Sequence, residues 1–299
     1  MLKLGKRIKH LYHRVDYSAG KKLFGNTIGV QNNLKGSLKN AQGGSNIERV
    51  DDPRINDLRT NQYLVLNNHY DQKLLDTIKT KYDSLMENEE TSYPDNIFEG
   101  KSYSRHITKV YQQIGEISEL ITDEIKNILR GYYQGNFQVK YIEAWKNKYV
   151  PEEIQSKSEL LSSHWHCDNR STEYLKLFVP LIDLTEDDGP FHIMSQNRTK
   201  QLMKMGYGTR DDYNLDDKVM NDPNEVIKIT GKLGMAYFGN PQLCLHRAGV
   251  PTNGHWRDII DFVFAPSSEP LPDNWFETFQ PDERVRYADK KKAEEQSEK

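Results

Sequence analysis

The sequence predicts a mainly β fold, a sandwich or jelly roll, backed by flanking helices. Two observations carry that expectation. Apolar residues recur at helical spacing only in the first part of the chain. From about residue 137 onward the pattern changes to short strand-like runs divided by Gly, Pro and Asn turns. Helices first and many strands afterwards suit one layered domain. The 299 residues suffice for one large core with appendages. The expected division is a basic amphipathic helix and connector over 1–50, the β domain over 51–285, and a charged tail over 286–299.

Residues 1–22 hold seven Lys or Arg against one acid, Asp16. Leu4, Ile8, Leu11, Tyr12 and Val15 give this segment an apolar helical stripe. Docking of that stripe on the domain is the favoured reading, and contact with a membrane surface or partner is the alternative. Residues 25–50, rich in Gly, Asn and Ser, read as a connector. The stretch 60–67 reads as a strand, 70–87 as a helix, and 88–101 as an acidic loop around Tyr93, Pro94 and Asp95. Ile107, Val110, Ile114, Ile117, Ile121, Ile125 and Ile128 follow a three-or-four spacing that predicts one long core helix, with Gly131 as its stop. Strands are expected within 137–145, 160–168, 174–184, 225–230, 235–239, 242–250 and 256–265. The turns between them include Asp188-Gly189-Pro190, Gly239-Asn240-Pro241 and Asn253-Gly254.

Composition narrows the function classes. The formal net charge is −3 and charged residues make up 28%, with a mean hydropathy of −0.83. No global positive field or basic groove recruits nucleic acid. No apolar run is long enough to cross a bilayer, and two cysteines, Cys167 and Cys244, form no disulfide framework. A cytoplasmic location is expected.

The chemistry gathers at two places. In His164-Trp165-His166-Cys167-Asp168, strand alternation puts 164, 166 and 168 on one face, so an imidazole and a carboxylate can grip one metal ion. That pair alone is weak, because such residues are more often structural. His246 adds a third donor, and two His with one carboxylate and open positions is the donor set of ferrous oxygenases. Arg257 follows eleven residues later. If Asn253-Gly254 makes a two-residue hairpin turn, Arg257 opposes Val250 and shares a face with His246, roughly 13 Å away. A five-carbon diacid chelating the metal spans about that gap, with the guanidinium forked onto its far carboxylate.

Other residues carry less. His164 lies on the face of His166 and is an alternative ligand or a pocket residue. Cys244 shares parity with His246 and lines the pocket or packs as a small apolar residue. Lys176 faces either pocket or solvent. Trp145 and Tyr141 contact substrate or belong to the core. The polar segment 197–225, with Tyr207 and Tyr213, is a candidate lid or a surface insertion.

These residues together resemble the phytanoyl-CoA dioxygenase family of iron(II)- and 2-oxoglutarate-dependent oxygenases. The resemblance spans roughly 55–265 and is carried by His166-x-Asp168, the strand ending at Gly189-Pro190, the Gly231–Gly234 run, and His246 followed by Arg257. Where many members read G-P-L-x-x-x-P-G-S-H, this chain continues Gly189-Pro190-Phe191-His192 without the later Pro-Gly and His. The resemblance implies a double-stranded β-helix, with His166, Asp168 and His246 holding Fe(II) and Arg257 binding 2-oxoglutarate. It implies hydroxylation of a small-molecule metabolite by O2, with release of succinate and CO2. Asp168 argues against a halogenase, in which a small residue vacates that position. A non-catalytic metal- or ligand-binding module of the same fold, recruited through the basic N-terminal helix, is the rival reading.

Overall fold

The computed structural model describes residues 52–168, 173–205, 222 and 224–281. The basic helix, the connector and the charged tail lie outside the described residues.

Helix α1 (Pro53–Asn61) starts where the Asp52 side chain accepts the backbone N–H of Arg54 and Pro53 occupies the first turn, a start signal built from an N-cap acid and a preset φ. Strand β1 (Tyr63–Leu66) and helix α2 (Gln72–Glu87) follow where the pattern predicts them. The segment expected to be an acidic loop is instead a hairpin of β2 (Ser92–Phe98) and β3 (Lys101–Ile107). Its two turn residues, Glu99 (φ 49°) and Gly100 (φ 77°), both take positive φ, so Phe98 pairs directly with Lys101.

The isoleucine series does not form one helix. Ile107 ends β3, and the rest divides among α3 (Val110–Gln113), a 3-10 segment (Gly115–Leu120) and α4 (Asp123–Tyr133). Lys109 is left-handed, Ile114 is extended, and the Thr122 hydroxyl caps α4 by accepting the N–H of Ile125. Each break restarts the helix while keeping the same face inward, so Ile114, Ile117 and Ile125 are all fully buried. Gly131 lies inside α4, pressed on Ile55 of α1 where a Cβ has no room, and the helix ends at left-handed Gln134.

The remaining elements are β4 (Asn136–Lys148), α5 (Glu152–Gln155), β5 (Leu175–Pro180), β6 (Phe191–Met194), α6 (Gln196–Met205), β7 (Val226–Ile229), β8 (Ala236–Gly239), β9 (His246–Ala248) and β10 (Trp256–Ser267). They build a seven-stranded sheet, β1-β8-β5-β10-β4-β3-β2, and a three-stranded sheet, β7-β6-β9, antiparallel throughout. The expected mainly β jelly roll with flanking helices is the observed architecture.

Two cores sit on opposite faces of the large sheet. Ile260, Phe262 and Phe264 of β10 meet α2, α3 and α4 on one face. Ile259, Phe178 and Tyr237 meet Phe191 and Ile193 of the small sheet on the other. Strand β4 keeps its core side chains inward on both sides of a bulge: Val263 pairs Tyr141, and Phe264 pairs Val139. The extra residue, Lys140, resets the alternation, so Phe137 and Val139 face the same core as Ile142 and Ala144.

Three sequence expectations near the site change. Residues 160–168 are irregular, with Leu161 and Ser162 both at φ 58°, and only His166 makes a strand-like bridge. Within 242–250 only β9 is strand. Asn253-Gly254 does make a tight turn, in which His255 donates its N–H to the Thr252 carbonyl. Yet β9 ladders onto β6 while β10 ladders onto β4 and β5. The turn carries the chain from one sheet to the other, so the hairpin register that set Arg257 opposite Val250 does not form. Of the proposed lid, 196–205 is α6, and residues 206–221, with Tyr207 and Tyr213, lie outside the described residues.

Candidate metal centre

The three expected donors converge between the sheets. His166 and His246 face each other across an antiparallel bridge, each N–H donating to the other's carbonyl at 3.0 and 2.9 Å. That bridge sets the rings side by side, with centroids 4.2 Å apart. Asp168, two residues on, is pinned by its own N–H to the Pro241 carbonyl at 2.8 Å. Ligand atoms of His166, Asp168 and His246 all lie within 4.8 Å of one another.

The donor set fits a divalent metal in chemistry as well as distance. The Nδ1 of His166 is 2.7 Å from the His164 carbonyl, and that of His246 is 3.2 Å from the Cys244 carbonyl. A carbonyl accepts only, so both rings carry hydrogen at Nδ1 and present the Nε2 lone pair inward. Both Nε2 atoms point to Asp168 Oδ1, at 3.4 and 3.7 Å. The other oxygen, Oδ2, is held from behind by the Gln242 amide at 3.5 Å and Lys176 Nζ at 3.7 Å.

Electrostatics keeps His246 and Asp168 deprotonated. Burial pushes the His246 imidazole down to about 3, reinforced by the neighbouring His166. Burial alone would raise the Asp168 carboxyl, but Lys176 and the two imidazoles outweigh it and hold the group well below the usual carboxylate range.

These residues line a cavity of about 460 Å³ that Arg257 also lines. Arg257 pairs in β10 with Asn147 of β4, and alternation directs it to the face shared by Ile259 and Asp261. It is only 4% exposed. Its Nη1 donates to the Gly189 carbonyl, and its Nε is buried with no partner among the described residues. A buried cation left without a carboxylate is costly unless a ligand supplies one.

The secondary candidates are distributed unevenly. Lys176 lines the cavity and bridges Asp168 to Asp261, 3.3 Å away. His164 contributes its carbonyl to His166, while its ring lies 3.7 Å from Glu159. Cys244 packs in the inter-sheet core and contributes its carbonyl to His246. Sequence reasoning missed Gln242, because nothing marks one glutamine in a loop. It also missed Asp95, His106 and Glu143, all on the cavity wall. For Glu143 a signal existed: Glu143 and Trp145 alternate with the core residues Ile142 and Ala144 along β4.

No family model matches the sequence, and no curated protein is significantly similar to it in sequence. Solved structures are similar in fold. The non-heme alpha ketoglutarate dependent epimerase SnoN from nogalamycin biosynthesis superposes with a TM-score of 0.54 at 13% identity, over 71% of this chain and 82% of that one. SnoN has also been solved in complex with Fe3+, alpha ketoglutarate and nogalamycin RO. The alpha ketoglutarate dependent carbocyclase SnoK gives 0.52 at 13% identity, over 79% and 94% of the two chains. EctD from S. alaskensis with bound Fe gives 0.53 at 13% identity, over 78% and 84%. No helix among the described residues is long and apolar enough to cross a membrane. These structures share the architecture of this chain, and at this identity the likeness establishes the fold alone.

Proposed function

We propose that this chain is an iron(II)- and 2-oxoglutarate-dependent oxygenase that hydroxylates a small molecule. His166, Asp168 and His246 hold the metal, and Arg257 binds the far carboxylate of the keto acid. The reading agrees with the phytanoyl-CoA dioxygenase-like motifs and with the fold. The observation that carries it is a two-His, one-carboxylate set in one cavity with a buried guanidinium whose Nε lacks a partner.

When bound, iron and keto acid would supply oxidative decarboxylation by O2, with one oxygen atom entering succinate, the other the substrate C–H bond, and CO2 released. The chain's own residues perform binding and orientation. The His164 and Cys244 carbonyls fix the imidazole tautomers. Gln242 and Lys176 hold Oδ2 of Asp168, so that Oδ1 faces the metal position. Phe178, Phe191 and Tyr237 give the cavity an apolar floor that limits water around the reacting groups.

The test is anaerobic addition of ferrous iron and then 2-oxoglutarate to the purified protein. A visible charge-transfer band, abolished by Asp168→Ala, supports the reading. A folded, iron-loaded protein without that band overturns it in favour of a binding module.

A further inference from the structure

Strands β10, β4 and β3 lay a polar row across the cavity. Arg257 pairs with Asn147 in the β10–β4 ladder, and Asn147 pairs with Ser104 in the β4–β3 ladder. Residues directly opposite on antiparallel strands hold their Cβ atoms about 4.5–5.5 Å apart on the same face. Asn147 and Arg257 therefore leave the sheet side by side. Both line the cavity, and each is 4% exposed.

The members of the row differ in what they bond. Ser104 Oγ accepts from the Asn96 amide at 2.6 Å, and Asn96 Oδ1 accepts the Leu161 N–H at 2.8 Å. The Asn147 amide makes no hydrogen bond among the described residues. Arg257 gives Nη1 to the Gly189 carbonyl and leaves Nε without a partner among the described residues. An amide and a guanidinium buried without full partners each oppose folding. Their adjacency gives the cavity one place where donor hydrogens from two strands go unused.

A carboxylate fits that place. It accepts at several lone-pair positions, so one oxygen takes a guanidinium hydrogen bond while the other takes an amide hydrogen bond. The amide adds a directed donor without a second positive charge, which would repel the guanidinium beside it.

We propose that Asn147 is a second binding residue for the keto acid. Its amide donates to the far carboxylate that Arg257 holds, and the pair selects a dicarboxylic keto acid over a monocarboxylic one. This assignment rests on the reading of the site as an iron and 2-oxoglutarate centre.

The test compares 2-oxoglutarate with 2-oxopentanoate, which keeps the keto acid and the five-carbon chain but ends in a methyl group. Each is titrated anaerobically into ferrous full-length protein, and the visible band reads binding. Asn147→Leu, close in size, is expected to raise the 2-oxoglutarate dissociation constant about 10- to 100-fold, because a hydrogen bond to a charged group is lost. The 2-oxopentanoate constant is expected to stay within about threefold, since that ligand offers the amide no far carboxylate. The metal-free variant is expected to melt at or above the wild-type temperature, because the substitution removes no hydrogen bond among the described residues. Asn147→Ala repeats the comparison if that variant does not fold. A 2-oxoglutarate constant within about threefold of wild type shows the amide unused and overturns the assignment. An equal loss for both ligands shows a structural role and overturns it too. Absence of the band with both ligands in iron-loaded wild type overturns the metal-centre reading and the assignment with it. A normal band whose ligand preference survives Asn147→Leu overturns the assignment alone.

Discussion

Replacing Arg257 with Met separates what the guanidinium does for the fold from what it does for the ligand. Arg257 is 4% exposed, donates Nη1 to the Gly189 carbonyl, and leaves its Nε without a partner among the described residues. Burial lowers its pKa, the sign of a charge held against its own hydration. Removing one member of a buried, hydrogen-bonded charge pair costs about 2–5 kcal/mol of binding. At about 1.4 kcal/mol per tenfold, the keto-acid dissociation constant rises roughly 30- to 3000-fold. Stability responds differently. The orphaned Gly189 carbonyl costs about 1–3 kcal/mol, and replacing a buried charge with an apolar side chain of similar length returns about 1–4 kcal/mol. The two terms oppose, so the melting temperature of the metal-free protein moves by only a few degrees, at about 2–4 °C per kcal/mol. The assay is an anaerobic 2-oxoglutarate titration followed at the visible band, beside thermal melts without metal. A keto-acid affinity within about threefold of wild type, in a protein that melts normally, refutes the role given to Arg257.

Four further outcomes are expected. Gln242→Leu removes one of the two groups that hold Asp168 Oδ2 and weakens metal binding about 10- to 100-fold in a cobalt titration, and an unchanged affinity dismisses Gln242 as a positioning residue. Gly189→Ala forces φ 65° on a residue whose Cβ would lie 2.6 Å from the Gly249 carbonyl oxygen and the Pro251 nitrogen. It should cost about 1–3 kcal/mol in urea unfolding and also raise the 2-oxoglutarate dissociation constant, because its carbonyl anchors Arg257. Metal-free protein loses stability as pH falls. Burial depresses both His246 and His192 to about 3, so above the unfolded value of about 6.5 neither takes up a proton in either state. Between about 6.5 and 3 only the unfolded chain does, and each histidine removes up to about 1.4 kcal/mol per pH unit. Urea midpoints that stay flat from pH 7 to 5 contradict this. Asp168→Ala abolishes the visible band and succinate formation, and any retained succinate burst would place the metal elsewhere.

The convergence of three candidate donors was legible because their chemistry is local. His166 and Asp168 are two residues apart, and His246 precedes an arginine at a spacing that resembles a family pattern. The route to Arg257 was not legible in the same way. Asn253-Gly254 is a strong turn signal and the turn forms, but a turn specifies only its own four residues. Whether the flanking segments pair depends on what else competes for their edges. Here β4 and β5 occupy both edges of β10, while β6 takes β9. Arg257 reaches the cavity through alternation along β10 instead of through the expected hairpin. The isoleucine series shows the same limit. A three-or-four spacing states which side chains face inward, and both one long helix and three short segments satisfy it. Only left-handed Lys109, extended Ile114 and the Thr122 cap decide between them.

The cavity wall built by β2, β3 and β4 was hidden for a deeper reason. A polar residue on a core-facing strand reads as solvent-facing when its partner strand is unknown. Glu143 acquires meaning only once β10 sets Asp261 opposite it, 118 positions later in the chain. Asp95 acquires meaning only when the Glu99-Gly100 turn folds β2 onto β3 and brings it to His106. The first arrangement opposes stability locally by facing two carboxylates, whereas in the second Asp95, 3.1 Å from Nε2, satisfies a buried His106. Metal donors can be found from sequence because coordination restricts residue type. A cavity wall restricts only charge and shape, so its members are recognised only once the strands that carry them are paired.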